Sequence, residues 1–136
     1  MRYVDTNVLL RYLTGDDPAK ARACFELLQR VKTGEEVVTT CEAVVTELVY
    51  VLSSRSHYEL TREEIRARLV PILLLKGLRL TNRRLYLRAL DVYVSYPGLD
   101  FEDALIVAHM GRHGVAEVLS YDRGFDAVAG ITRVEP

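Results

Sequence analysis

Only two cysteines, Cys24 and Cys41, occur in the 136 residues, and they stand far apart. That spacing matches neither a zinc finger nor a CxxC redox pair, so neither class is supported. Cys24 lies among Ala21, Phe25 and Leu28 and reads as a small buried hydrophobe. Long apolar runs are also missing. The longest, Val70-Pro71-Ile72-Leu73-Leu74-Leu75, is far short of the ~20 residues that a membrane-spanning helix needs. Asp5 and Arg11 interrupt any apolar core near the N-terminus, which excludes a secretory signal there. The expected location is therefore cytoplasmic. Charge of one sign is lacking too. With a net charge of −1 the chain has no bulk attraction for nucleic acid, so any such contact rests on a local patch or a metal. Lysine is scarce: 3 Lys stand against 15 Arg. This is either a composition effect or a preference for the planar guanidinium fork, which suits phosphate.

Repeats, low-complexity tracts and linkers are absent as well. What remains is 49 % hydrophobic and 27 % charged, the composition of a globular protein with one core. A single domain over residues 1–136 is expected. Strand-like and helical segments alternate. Residues 2–5 read as a strand and 7–13 as a short helix ended by Gly15-Asp16-Asp17-Pro18. Pro18 opens a longer helix to about Val31. The β-branched Val37-Val38-Thr39-Thr40 is a strand, and 42–54 a helix with Val44, Leu48, Val51 and Leu52 at helical spacing. Thr61-Arg62-Glu63-Glu64 is a capping box that starts a helix to about Leu75. Leu78–Thr81 is a strand and Arg83–Tyr96 a helix stopped by Pro97-Gly98. A further helix spans Asp100–Arg112. Glu117–Tyr121 and Ile131–Val134 are strands with a short helical turn between them. Strands separated by helices imply an α/β fold with a mostly parallel central sheet covered on both faces. In such sheets ligands bind at the carboxyl ends of the strands.

Acidic residues fall where that rule gives them meaning. Asp5 ends the first strand, and Asp122 follows Val118-Leu119-Ser120. Asp, Thr and Asn also cap helices well, an effect of ~1 kcal/mol, so Asp5-Thr6-Asn7 has a purely structural reading beside the functional one. Glu47 is expected to share the inward face of its helix with Val44 and Val51. Asp103 is expected on the stripe of Leu99, Ile106, Val107 and Met110. A buried carboxylate is costly unless paired or bound to metal. Two like charges ~4 Å apart cost ~4 kcal/mol at an effective dielectric of 20. Four converging acids therefore call for a cation or for protons. All-oxygen ligation favours Mg2+ or Mn2+ over zinc, and such ions work on phosphate oxygens, which suggests phosphodiester hydrolysis.

Asp5-Thr6-Asn7, Glu47 in VVTELVYVL, Asp103 in LDFEDALIVAHM and Asp122 in LSYDRGF together resemble a PIN domain. The pattern is especially similar to the VapC-type toxin ribonucleases of bacterial and archaeal toxin–antitoxin pairs, and the resemblance covers essentially the whole chain. The resemblance implies a three-layer α/β/α fold and Mg2+- or Mn2+-dependent endoribonuclease activity. It also implies a homodimer, an RNA substrate and a cognate antitoxin that blocks the site. It would assign Asp5, Glu47, Asp103 and Asp122 to the acidic, metal-binding centre, with Thr6, Asn7 and Ser120 in support. Asn7 would cap the first helix or hold Asp5. Asp126, four residues beyond Asp122, is a further supporting candidate, and Asp100 is expected to cap its helix. His109 and His113 stand at i, i+4, but no further zinc ligands lie nearby in the sequence, and His113 suits a helix end. Arg112 and Arg123 are candidate phosphate contacts or simply solvated.

Other classes compete. A haloacid-dehalogenase-like phosphatase also places an Asp after its first strand, but it needs a second Asp two residues on, where this chain has Asn7. A receiver-like domain would want a lysine on a late strand, and Lys76 is the last one. An inert PIN-like binding module would be signalled by loss of an acid, and none is lost.

Overall fold

Caps and turn glycines delimit most of the helices, and these signals are local. A computed structural model describes residues 1–136. The elements run β1 (Arg2–Tyr3), α1 (Thr6–Thr14), α2 (Pro18–Thr33), β2 (Val38–Thr39), α3 (Glu42–Ser53), α4 (Arg62–Leu73) and β3 (Leu78–Arg79). They continue with α5 (Arg83–Ser95), α6 (Phe101–His113), β4 (Glu117–Leu119), a 3-10 helix (Arg123–Ala127) and β5 (Thr132–Val134). Every expected element is present; the strands are shorter than read, at two or three residues. The chain divides into two compact units, Met1–Arg83 and Arg84–Pro136.

In the first unit the strand order is β1-β2-β3, with both pairs parallel. Arg2 stands opposite Val38, and Val38 opposite Leu78. Parallel neighbours cannot be joined by a tight turn, so each crossover is helical: α1 and α2 link β1 to β2, and α3 and α4 link β2 to β3. α1 packs on α2 and α3, and α3 on α4. The Asp17 side chain accepts the Lys20 N–H at 3.2 Å, with Pro18 in the first helical position, and α2 ends at Gly34 in the left-handed region. The capping box on α4 forms as read. Thr61 Oγ1 accepts the Glu64 N–H, and the Glu64 carboxylate accepts the Thr61 N–H. The interior centres on Val31, Leu52 and Ile65, all fully buried. Each such side chain contributes roughly 1.5–3 kcal/mol relative to exposure.

Some face assignments differ from the sequence reading. On α3 the buried positions are Val45, Leu48, Val49 and Leu52, whereas Val44 and Val51 are half-buried and Glu47 is exposed. This helix is apolar around most of its circumference, so spacing alone chose the neighbouring stripe. Cys24 is half-buried, not enclosed, because the adjacent Phe25 turns outward at 52 % exposure and stacks on Tyr12.

The second unit holds α5, α6 and the parallel pair β4–β5, in which Glu117 faces Thr132 and Leu119 faces Val134. Ala89, Leu90, Leu99 and Ala104 are fully buried, and the Tyr93 and Phe101 rings meet edge to face at 5.7 Å. The 3-10 helix that links the two strands is anchored by Phe125, 2 % exposed. Ile106, expected on the inward stripe of α6, is 42 % exposed. The buried face comprises Phe101, Ala104, Leu105, Val107, Ala108 and Met110.

Gly77 marks the tightest backbone approach in the first unit. A Cβ there would lie 2.2 Å from the Glu36 carbonyl oxygen and 2.7 Å from that of Val31. Its own N–H donates to Val31 O at 2.8 Å, and its carbonyl accepts the Val38 N–H at 2.8 Å. Gly77→Ala is therefore expected to lose ~3 kcal/mol, at the upper end of overpacking costs. Gly111→Ala, on α6 with nothing within 4 Å of the new methyl, is expected to gain ~0.5 kcal/mol from helix propensity. Urea melts of the two variants check the contrast; similar midpoints for both would contradict it.

Candidate acidic site

The first pair of acids sits where β1 becomes α1 and on α3. Asp5 follows β1 in extended backbone and is the N-cap of α1, its Oδ1 accepting the Val8 N–H at 3.1 Å. The cap is thus Asp5 itself; Asn7, proposed from the sequence as a possible cap, lies inside the helix and is exposed. Thr6, 7 % exposed, donates its hydroxyl to Glu47 Oε2 at 2.7 Å. This bond fixes an otherwise solvent-facing carboxylate beside the residue that follows Asp5. Thr40 was not singled out in the sequence. Its hydroxyl donates to Val4 O at 2.8 Å while the Val4 N–H donates to Thr39 O at 2.8 Å, so the end of β2 holds the end of β1 directly before Asp5. The signal available was a β-branched Thr pair at a strand's carboxyl end.

The second pair lies in the second unit. Asp100 is the N-cap of α6, as expected, and accepts the Asp103 N–H at 2.8 Å. Asp103 is half-buried in the first turn of that helix. Its carboxyl is pushed up to about 6, first by burial, then by the Asp100 charge, and then by a hydrogen bond and the charge of Asp122. Asp122 is therefore near enough to act on the Asp103 carboxyl. Asp122 itself caps the 3-10 helix: its Oδ1 accepts the Gly124 N–H at 2.8 Å, and its own N–H donates to Ser120 Oγ at 2.9 Å. Gly124 is pressed on the chain before α6, since a Cβ there would lie 2.5 Å from Gly98 O and 3.1 Å from Asp122 Oδ1. Asp126 directs its carboxylate to Arg133, at 2.9 and 3.3 Å, which holds it below the usual carboxylate range. His109 and His113 stack with centroids 6.5 Å apart on α6.

No three His, Cys, Asp or Glu side chains are grouped around one point in the manner of a formed metal shell. The chemistry of the donors nonetheless fits a hard divalent ion. All are carboxylates, and Asp103 carries an electrostatic strain, from burial and from two neighbouring acids, that a divalent cation relieves.

An α/β chain with parallel strands, carrying carboxylates at the ends of β1 and β4 and on the helices α3 and α6, defines the class. Residues 2–131 match the PIN domain family, and the chain belongs to that family. It is 31 % identical over 137 residues to the VapC ribonuclease Mb1869c of Mycobacterium bovis and, to the same extent, to ribonuclease VapC13 of Mycobacterium tuberculosis. In both comparisons 98 % of this chain and 99 % of the relative are covered. No helix is long and apolar enough to cross a membrane.

The raised Asp103 carboxyl sets a pH dependence. Its folded value, about 6, exceeds the ordinary 3.8, so the native state holds the proton more tightly. The stabilisation is complete below the ordinary value and is lost as pH rises through 6. A two-unit shift corresponds to ~3 kcal/mol, which solvent screening at this half-exposed group reduces to ~1 kcal/mol. In EDTA, the wild type is expected to lose about that much between pH 4.5 and 7.5 relative to Asp103→Asn, which becomes the more stable protein at pH 8. Parallel stability curves for the two in urea melts would show that the strain is not there.

Proposed function

We propose that the chain is a metal-dependent endoribonuclease, the toxin of a type II toxin–antitoxin pair, acting as a single PIN-like domain over residues 1–136. The observation that carries the reading is likeness over 98 % of the chain to proteins named as VapC ribonucleases. The raised Asp103 carboxyl supports it, since a carboxylate destabilised by burial and by the neighbouring Asp100 and Asp122 is suited to a cation. The reading places the protein in the cytoplasm, as a homodimer, with RNA as substrate.

Asp5, Glu47, Asp103 and Asp122 would hold the ion, Mg2+ or Mn2+. When bound, it supplies activation of water for attack on a phosphodiester and stabilisation of the leaving oxygen. The protein's own part is placement. Thr6 fixes Glu47, and the helix cap of α1 fixes Asp5. Ser120 and Gly124 fix Asp122, and Asp100 sets the first turn that carries Asp103. Hydrogen-bonded carboxylates of this kind lose little freedom when a cation arrives, and positioning of this order is a large part of phosphoryl-transfer catalysis. All of the candidate site residues are negatively charged or neutral, so affinity for RNA comes through the ion and local arginines and not from bulk charge.

Two expectations follow from this reading. Metal at ~100 times its dissociation constant stabilises a folded protein by ~2.7 kcal/mol. Mn2+ is therefore expected to raise the melting temperature of the wild type by several degrees over EDTA and to leave Asp103→Asn almost unmoved. RNA cleavage is expected in the wild type with Mn2+, and to be abolished in the variant or by EDTA. Equal metal shifts in both proteins, or full cleavage by Asp103→Asn, would remove Asp103 from the centre.

The antitoxin is expected to cover the α1–α2 surface. Val8, Tyr12 and Leu13 are only half-buried there, and Phe25 is 52 % exposed. An apolar segment laid on that surface would bury what the lone chain leaves open. Hydrogen exchange on the complex should show protection in residues 6–33; protection confined to other segments would refute the placement.

A further inference from the structure

One guanidinium grips both ends of the segment that carries Asp122. Arg133, on β5, has its side chain only 12 % exposed. Its Nε donates to Asp126 Oδ1 at 2.9 Å and its Nη2 to Asp126 Oδ2 at 3.3 Å. Its Nη1 donates to the Ser120 carbonyl at 3.1 Å and to Glu135 Oε1 at 2.9 Å. Ser120 and Asp126 bracket Tyr121-Asp122-Arg123-Gly124-Phe125. Within the bracket Asp122 is tied twice, by its N–H to Ser120 Oγ and by its Oδ1 from the Gly124 N–H. Those local ties hold Asp122 relative to the segment. The guanidinium holds the segment relative to the β4–β5 pair.

We propose that Arg133 is a positioning residue for the acidic centre, and that Asp126 serves the centre as the acceptor of its fork; this rests on the reading of Asp122 as a metal-binding acid. The choice of arginine follows from geometry. A planar fork with five N–H donors can meet a carboxylate with one edge and a backbone carbonyl with another. A lysine ammonium is a point charge and cannot span both ends of the segment. An ordinary exposed ion pair contributes little to stability, and Asp126 is 53 % exposed. Loss of the fork is therefore small for global stability and large for the local freedom of residues 120–126. The role also accounts for an acid, four residues beyond Asp122, whose carboxylate is directed at Arg133.

The test uses Arg133→Lys and Asp126→Asn in the full chain. In EDTA, hydrogen exchange at the Gly124 amide reports whether Asp122 is still held, and needs neither metal nor RNA. Both variants are expected to melt within a few degrees of the wild type while that amide exchanges about tenfold faster, the signature of local opening. In a Mn2+ titration followed by thermal melts, the concentration that gives half of the stabilisation is expected to rise by about tenfold, the usual scale for loss of a residue that orients a metal ligand. With RNA, the loss should fall on kcat and leave KM unchanged. Unchanged Gly124 exchange in a folded variant, or wild-type metal response in Arg133→Lys, would overturn the proposal. If Arg133→Lys fails to fold, Asp126→Asn decides, because it breaks the same fork from its exposed side. Faster Gly124 exchange in proteins none of which, wild type included, cleaves RNA would uphold the clamp and instead count against the ribonuclease reading.

Discussion

Parallel pairing of very short strands constrains everything else in this chain. A parallel pair offers no tight turn, so each return of the chain requires a crossover, and here the crossovers in the first unit are helix pairs. Strands of two or three residues contribute few hydrogen bonds, so the sheets are held from outside by the helices and by side chains that bond to the strand ends. Thr39 donates to Arg79 O, Thr40 to Val4 O, and Arg83 to the carbonyls of Leu73 and Leu78. The same bonds that finish the strands also fix where the next element begins. Asp5 and Asp122 both stand just beyond a strand's carboxyl end, and both cap the helix that follows.

The acids are expensive positions, and the chain meets the cost locally. Glu47 has its Oε2 occupied by the Thr6 hydroxyl, and Asp122 its Oδ1 by the Gly124 amide. Asp103 is the one that stays strained, with its carboxyl raised to about 6 by burial and by two neighbouring acids. A strained carboxylate among hydrogen-bonded ones is a departure from the local consistency that foldable sequences otherwise show, and such departures concentrate at functional sites.

Signals confined to a few residues were legible in the sequence. The Thr61–Glu64 box, Pro18 at the start of α2 and Gly15 after α1 all act as read, because a cap or a left-handed turn is decided by its immediate neighbours. The α/β class was legible because strand-like and helical segments alternate, and the PIN family because acids recur at the ends of strands and on particular helices along the whole chain. Face assignment was less legible. Around α3, Val44, Val45, Leu48, Val49, Val51 and Leu52 leave no single apolar stripe, so burial had to be decided by packing and Glu47 came out exposed. The Arg133 fork was not legible at all. It joins residues 13 and 7 positions apart through a guanidinium whose direction no spacing rule gives.

Capping and cation binding do not compete for the same oxygen capacity. An ionised carboxylate has two oxygens and about four acceptor sites, and a single N–H from the cap uses one of them. Asp5, Asp100 and Asp122 each accept one amide at a helix start, and Asp103 lies in the first turn of α6. The N-terminal end of an α-helix carries partial positive charge and stabilises a nearby anion by ~0.3–1 kcal/mol. α1 and α6 therefore each offset part of the repulsion that crowded acids would otherwise bring, and Asp122 gains a bonded amide from its own short helix. Glu47 lies in the middle of α3, and its carboxylate is held by the hydroxyl of Thr6, the first residue of α1. The structural reading of Asp5 as a cap and the functional reading as a metal ligand are thus compatible, because the cap lets the chain carry an anion there before any cation arrives.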